Sequence, residues 1–239
     1  MKINLLIVAT NKYIQFLPAL LASAEKHFLM CEELTYCIFT DKIAEMRPLQ
    51  EIYGNRINLM RIEHKPWPHS TLMRYHFFDQ YWYNIKDADY YFYIDADTLF
   101  TDTITKDDII GDRVGVEHCG FVGSRGTYET RPESTSYIAP EDGSVYYGGG
   151  FIGFSNAEFR KFLDVVVKMI NTDIKNGITP VHNDESVLNR YFVDYPPTKT
   201  LTPSFHYPQS RVEHYKRKWR EDYVCKILLL DKNHSEIRA

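Results

Sequence analysis

The sequence predicts an α/β fold built on a mainly parallel sheet flanked by helices, and three observations lead there. Apolar, β-branched and aromatic runs recur along the chain, segments with helical spacing separate them, and the most apolar run stops abruptly at acidic residues. At 239 residues with 44% hydrophobic content the chain can bury a sizeable core. Strands that alternate with helices join through right-handed crossovers, and sheets of that kind take ligands beyond the carboxyl ends of their strands.

Ile3 to Ala9 reads as a buried strand. Tyr13, Phe16, Leu17, Leu20, Leu21, Ala24 and Phe28 then recur at helical spacing, with Pro18 in the first turn, where proline is tolerated. Thr35 to Phe39 and Ile57 to Ile62 are the next strands, and Lys65-Pro66-Trp67-Pro68 is a rigid loop. Ser70 to Ile85 reads as one helix leading into the run Tyr90 to Phe100. The stretch from His118 to Tyr147 is polar, with little periodicity, and reads as a long functional loop or as short irregular strands. Gly148-Gly149-Gly150 opens a short apolar strand, where three glycines allow either close backbone approach or a tight turn. Ser155 and Glu158 have the spacing of a capping box, and the helix they open closes at Gly177. His182 to Ser186 precedes a short amphipathic segment, and Tyr223 to Leu230 reads as a last strand.

Asp95-Ala96-Asp97 ends the run YYFYI, where a buried strand should stop. Two carboxylates two residues apart on an extended segment point the same way and repel unless a cation lies between them. A hard divalent ion, Mn²⁺ or Mg²⁺, meets that need and keeps part of its shell for substrate phosphates. Taken alone, the pair reads more readily as turn or capping aspartates. Asp184 and Glu185 stand in a helical first turn, where acids commonly offset the dipole, and Lys232 at a strand end is an ordinary surface lysine unless a phosphate meets it.

A net charge of −4 argues against a nucleic-acid partner, the basic run from Arg211 to Arg220 being local. Cys31, Cys37, Cys119 and Cys225 lack C-x-x-C spacing, so neither a zinc nor a redox motif is indicated and a reducing compartment fits. No apolar run reaches the ~20 residues of a membrane span and no signal peptide is read, so the expected location is cytoplasmic. The 18 tyrosines and 14 phenylalanines suit sugar stacking and core packing alike.

Six short strings stand in order: FTD at Phe39 to Asp41, YETRP at Tyr128 to Pro132, YY-x-GGF at Tyr146 to Phe151, DES-x-LN at Asp184 to Asn189, PTK at Pro197 to Lys199 and KNH at Lys232 to His234. With Ala9 to Tyr13 and Asp95 to Asp97 they make the chain, from about Ile7 to Arg238, resemble glycosyltransferase family 6, which includes the blood-group A and B transferases and the α-1,3-galactosyltransferases. The resemblance implies a GT-A type fold and a single catalytic domain over 1–239. About 1–97 would be the nucleotide-binding half, and about 98–239 the acceptor-binding half with a closing tail.

It further implies that Val8, Ala9, Thr10 and Tyr13 hold uridine, that Arg74 contacts the donor, and that Asp95 and Asp97, flanking Ala96, bind Mn²⁺ or Mg²⁺ against the diphosphate. Gly148 and Gly150 match positions that sense the substituent on carbon 2 of the donor hexose, Asp184 matches a residue on its hydroxyls, and Glu185 matches the carboxylate facing the anomeric carbon. His118, Thr127 and His182 match acceptor-side positions, while Lys232 and Arg238 match tail residues that close over the diphosphate and order when donor binds. The implied reaction is retaining α-1,3 transfer of N-acetylgalactosamine from its UDP ester to an oligosaccharide acceptor, an α-1,2-fucosylated β-galactoside. Galactose transfer and a catalytically silent sugar-binding relative are the alternatives. The glycines at 148 and 150 leave room for an N-acetyl group. The chain resembles the short bacterial members without anchor or stem, many of which carry Asn-x-Asn and work without metal, whereas Asp-x-Asp stands here.

Overall fold

In a computed structural model, which describes residues 1–30 and 32–237, seven strands form the central sheet. The chain runs through β1 (Lys2–Val8), α1 (Leu17–His27), β2 (Glu33–Thr40), α2 (Arg47–Tyr53) and β3 (Ile57–Arg61). Three short helices follow, α3 (His69–Leu72), α4 (Arg74–Gln80) and α5 (Trp82–Ile85), then β4 (Tyr90–Ile94), β5 (Thr98–Phe100), α6 (Lys106–Ile109) and β6 (Arg113–Glu117). After a long irregular segment come β7 (Tyr147–Ser155), α7 (Asn156–Lys175), α8 (Asn183–Asp194), β8 (Lys199–Leu201), β9 (Tyr207–Pro208), α9 (Val212–Lys216), β10 (Ile227–Leu229) and α10 (His234–Ile237).

The sheet order is β3-β2-β1-β4-β7-β6-β8. β7 alone runs against its neighbours, pairing antiparallel with both β4 and β6, while the remaining pairs are parallel. Reversal brings the start of β7, with its glycines, to the edge where β1 and β4 end. This is the mainly parallel α/β architecture the sequence predicts, with one strand turned so that its first residues meet the ligand edge.

Side chains alternate across the sheet as the two-residue period requires. Ile3, Leu5, Ile7, Phe92 and Ile94 enter one core with α1, while Leu6, Tyr91 and Tyr93 enter the other with α4, α7 and α8. Phe92 stacks on Phe151 at 5.6 Å and 7° and meets Phe28 edge-on. A methyl group on Gly153 would run into the Phe92 ring, so this glycine is a packing requirement. Truncating Phe92 would cost about 3–5 kcal/mol.

Three expectations change. The helix expected over Ser70 to Ile85 is broken at Met73 and Tyr81 into α3, α4 and α5, because the chain must turn to seat Arg74 inside and Trp82 beneath the core. The Ser155 side chain makes no cap, since Glu158 is drawn to Arg113 and Lys161 instead, although Gly177 does close α7 with φ +71°. Gly148 to Gly150 lie within β7, which removes the tight-turn reading and leaves close approach, with His206 packed on Gly148. β6 and β8, too short and too polar to stand out, were not anticipated, and the last strand is shorter than Tyr223 to Leu230. Among the described residues no helix is long and apolar enough to cross a membrane.

Candidate active site

Two cavities meet at the turn after β4. The first is lined by Val8, Thr10, Tyr13, His64, Trp67, Thr71, Arg74, Tyr93, Asp95, Ala96, Asp97 and, from the tail, Lys232 and Ile237. The second, about 340 Å³, shares Asp95, Asp97 and Lys232 and adds Thr98, His206, Leu230 and His234. Asp95 and Asp97 are thus the partition between them. They stand on a turn rather than an extended segment: Asp95 N–H donates to Gly150 O (2.9 Å), and Thr98 Oγ1 donates back to Asp95 O (2.7 Å).

The tail reaches this turn through strand register. β10 pairs antiparallel with β5, Leu229 opposite Thr98, so that Leu230 N–H meets Asp97 O at 3.0 Å and Lys232 falls beside the Asp97 carboxylate, with which it pairs. Further on, Lys12 Nζ donates to Glu236 O (2.7 Å). Arg238 lies outside the described residues.

Arg74 is the centre of charge. It is 5% exposed, and its Nη1 lies 3.1 Å from Gly149 O, 3.3 Å from Asp184 Oδ2 and 3.4 Å from Asp95 Oδ1. Its guanidinium covers the ring of Tyr93 at 4.3 Å, and the Tyr93 hydroxyl donates to Asp95 Oδ1. Burial works to lower the Arg74 pKa, but Asp184, Tyr93 and Asp95 outweigh it and the group is held above its usual range. One cation therefore joins the acid of the β4 turn to the acid of α8.

Asp184 and Glu185 occupy the first turn of α8, and β7 holds them in place. Gly149 N–H donates to Glu185 Oε2 (2.8 Å). Asn189, one turn later, exchanges two hydrogen bonds with the Tyr147 backbone, both 2.8 Å, and donates to Glu185 O. Burial pushes Asp184 up to about 6 despite Arg74. Glu185 is raised too, again by burial, against the nearby Tyr146 hydroxyl and the Gly149 amide.

The acceptor-side candidates collect around Tyr146. Thr127 Oγ1 lies 2.7 Å from His182 Nε2, and the rings of His118 and His182 both stand edge-on to Tyr146. Glu129 of the YETRP string fixes this loop by accepting from Arg131 and from Val181 N–H (2.8 Å), and the Arg131 hydrogen bond holds its pKa down to about 2. His118 is lowered to about 4 by burial and by His182, so it is neutral. Gly120 N–H donates to its Nδ1 (3.0 Å), which leaves the ring proton on Nε2. His118, Cys119 and His206 each bring a ligand atom within 4.8 Å of the others, but that tautomer offers a cation no lone pair at Nε2 and an occupied one at Nδ1.

The structure thus brings together Val8, Thr10, Tyr13, Arg74, Asp95, Ala96, Asp97 and Lys232 in one cleft, with Asp184 and Glu185 behind Gly149 and with Thr127, His118 and His182 beside Tyr146. Ala9 shapes the cleft without lining it: it is fully buried and its N–H is taken by Phe39 O at 2.9 Å. Gly148 differs from expectation most. A Cβ there would lie 2.7 Å from His206 Nε2, so the space the missing side chain leaves is filled by an imidazole. Sequence reasoning missed His206, Tyr93, Tyr146 and His64, whose Nδ1 lies 2.9 Å from Thr10 Oγ1. For Tyr93 the signal was present, since a residue two before Asp95 on the strand shares its side of the sheet. For His206 there was none.

Oxygen donors at the partition suit a hard divalent cation: Asp95 Oδ2 faces Gly150 and Asp97 carries a second carboxylate beside it, while the rest of such an ion's shell would fall to ligand oxygens in the cavities.

Comparison with known proteins gives the family. The model of glycosyltransferase family 6 matches residues 1–239. Histo-blood group ABO system transferase 1 of Rattus norvegicus is 32% identical over 244 residues, covering 99% of this chain and 68% of the relative. Globoside alpha-1,3-N-acetylgalactosaminyltransferase 1 of Gallus gallus is 29% identical, covering 96% and 67%. O-antigen biosynthesis glycosyltransferase WbnI of Escherichia coli is 25% identical, covering 97% of this chain and 95% of its own.

Proposed function

The chain belongs to glycosyltransferase family 6 and is a hexosyltransferase, and from that membership we propose a retaining α-1,3-N-acetylgalactosaminyltransferase. It takes UDP-N-acetylgalactosamine as donor and the galactose of an α-1,2-fucosylated β-galactoside as acceptor. The observation that carries this reading is Arg74, whose one guanidinium nitrogen lies within 3.4 Å of both Asp95 and Asp184. The acids assigned to the diphosphate and to the sugar thereby meet at a single buried charge, next to the sugar–phosphate bond that the proposed reaction breaks.

Uridine lies against Val8, Thr10 and Tyr13, and the diphosphate lies over Asp95 and Asp97. A Mn²⁺ or Mg²⁺ ion held there would neutralise charge on the leaving diphosphate. Arg74 and Lys232 add fixed positive charge at the same place, where a preorganised cation stabilises the transition state. Glu185, held by Gly149 N–H, presents its carboxylate to the anomeric carbon as positive charge develops. A transient ester on Glu185 and attack from the leaving group's own face both retain configuration and use this same carboxylate. His118, Thr127 and His182 orient the acceptor, and the leaving phosphate takes the proton of its hydroxyl.

UDP-galactose is the second donor reading, favoured by the His206 imidazole that fills the space beside Gly148. UDP release and product formation with each donor, using 2′-fucosyllactose with Mn²⁺ or with EDTA, separate the two. Transfer that needs the metal and prefers UDP-N-acetylgalactosamine is the expected result. Transfer undiminished by EDTA would remove Asp95 and Asp97 as ligands, and hydrolysis without transfer would remove the acceptor assignment.

A further inference from the structure

We propose that His206 is the residue that sets which hexose the donor carries, acting as a side wall pressed against the glycine edge of β7. The inference rests on the transfer reaction just proposed. Gly148 and Gly150 lie two apart on β7 and so face the same way. On that face a Cβ at 148 would sit 2.7 Å from His206 Nε2 and 2.8 Å from Cδ2, while one at 150 would meet Asp95 Oδ2 at 3.2 Å and the His206 ring at 3.7 Å. The imidazole therefore packs directly on Gly148 and borders Gly150, whose Cβ side also faces the Asp95 carboxylate. It lines the 340 Å³ cavity on the side of Asp95 and Asp97 away from the uridine candidates. A group joined to a diphosphate lying over that pair would extend into this space and meet His206 as a wall, with Gly148 packed behind the imidazole.

The wall is rigid and uncharged. His206 is 7% exposed, its backbone N–H donates to Pro203 O (3.0 Å) in the short turn Pro203–Phe205, and its ring packs on that of His118 at 4.6 Å. Its Nδ1 is buried without a hydrogen-bond partner. Burial and the neighbouring His118 hold its pKa well below the ordinary value, so no charge is available to be traded for contact with a sugar. What such a wall distinguishes is shape: a hydroxyl against an acetamido group on the ring it confines. Gly148 is needed because only a residue without a side chain lets the imidazole lie so close.

The test is the ratio of kcat/KM for UDP-N-acetylgalactosamine and UDP-galactose in wild type, His206→Ala, Gly148→Ala and the double variant, with 2′-fucosyllactose as acceptor. His206→Ala should move the ratio toward one by about 10-fold, the scale on which pocket shape discriminates such groups. Gly148→Ala, which displaces the ring without removing it, should move the ratio by itself and gives a second reading should His206→Ala fail to fold. In the His206→Ala background the same methyl should have no further effect on the ratio, the coupling expected of two groups that share one space. A merely structural histidine would lower both donors alike, so a ratio unmoved in either single variant overturns the inference while wild-type transfer stands. Wild type that turns over neither donor overturns the reaction reading itself, and the inference with it.

Discussion

Asp95 and Asp97 sit on a turn at the end of β4, the first half-exposed and the second beside Lys232, with two cavities opening on either side. Asp184 and Glu185 sit in the first turn of α8, pinned by Gly149 and Asn189 and raised in pKa by burial. Chemically the two pairs are nearly the same, and both touch Arg74, but their surroundings differ. The first borders both cavities, with Asp97 buried against Lys232 and Asp95 partly exposed. The second is confined behind β7, and burial makes it costly to ionise. Carboxylates given different surroundings take different roles, and in the proposed reaction one pair holds the leaving group while the other faces the reacting carbon.

The comparison breaks most sharply at Glu185. Glu185→Gln should keep the helix and the affinity for UDP but lower transfer by at least about 10³-fold, the scale for losing a charge aimed at the transition state. Single-turnover transfer with calorimetry on UDP checks this, and transfer near the wild-type rate would assign the second pair to binding alone. Next is Arg74→Met, which leaves Asp184 buried without its cation. Breaking a buried ion pair on one side costs about 3–5 kcal/mol, so urea unfolding should show that loss, and adding Asp184→Asn should restore part of it. No recovery in the double variant would mean that the two pairs are not linked through Arg74.

The smallest effect concerns pH. Asp184 titrates at about 6 in the fold against 3.8 as the reference value, so the folded protein binds its proton more tightly than the unfolded chain. Its contribution to stability is therefore full near pH 4 and is lost as pH rises through 6. Urea unfolding of wild type and Asp184→Asn between pH 4.5 and 7.5 should show the wild type losing about 2 kcal/mol relative to the variant. A difference that stays flat would place Asp184 in a wetter setting than the fold gives it.

Much of this was legible in the sequence. β1, β2, β3 and β4 announced themselves because a strand covered on both faces must be apolar throughout, as INLLIV and YYFYI are. Asp95 and Asp97 were legible for the converse reason, being charges where the apolar pattern fails. The reversal of β7 was not, since a strand buried on both faces reads the same whichever way it runs. Nor was His206: it packs against Gly148 of another strand, and no local pattern connects residues so far apart in the chain. Arg74 was placed by resemblance, yet its burial was hidden by a segment that reads as one continuous helix and folds as three.

The reversal of β7 also bears on the order in which the molecule assembles. β1, β2 and β3 follow one another closely in the chain and meet as immediate neighbours, so that end of the sheet closes over short connections. β7 must wait for the long segment between Ile94 and Phe151 to be drawn in, and β8 must return from still further to lie beside β6. Loop-closure entropy and contact order both put such pairings late. A chain caught before that closure would own the Val8, Thr10 and Tyr13 end of the cleft and lack the Gly148 strand against which His206 packs.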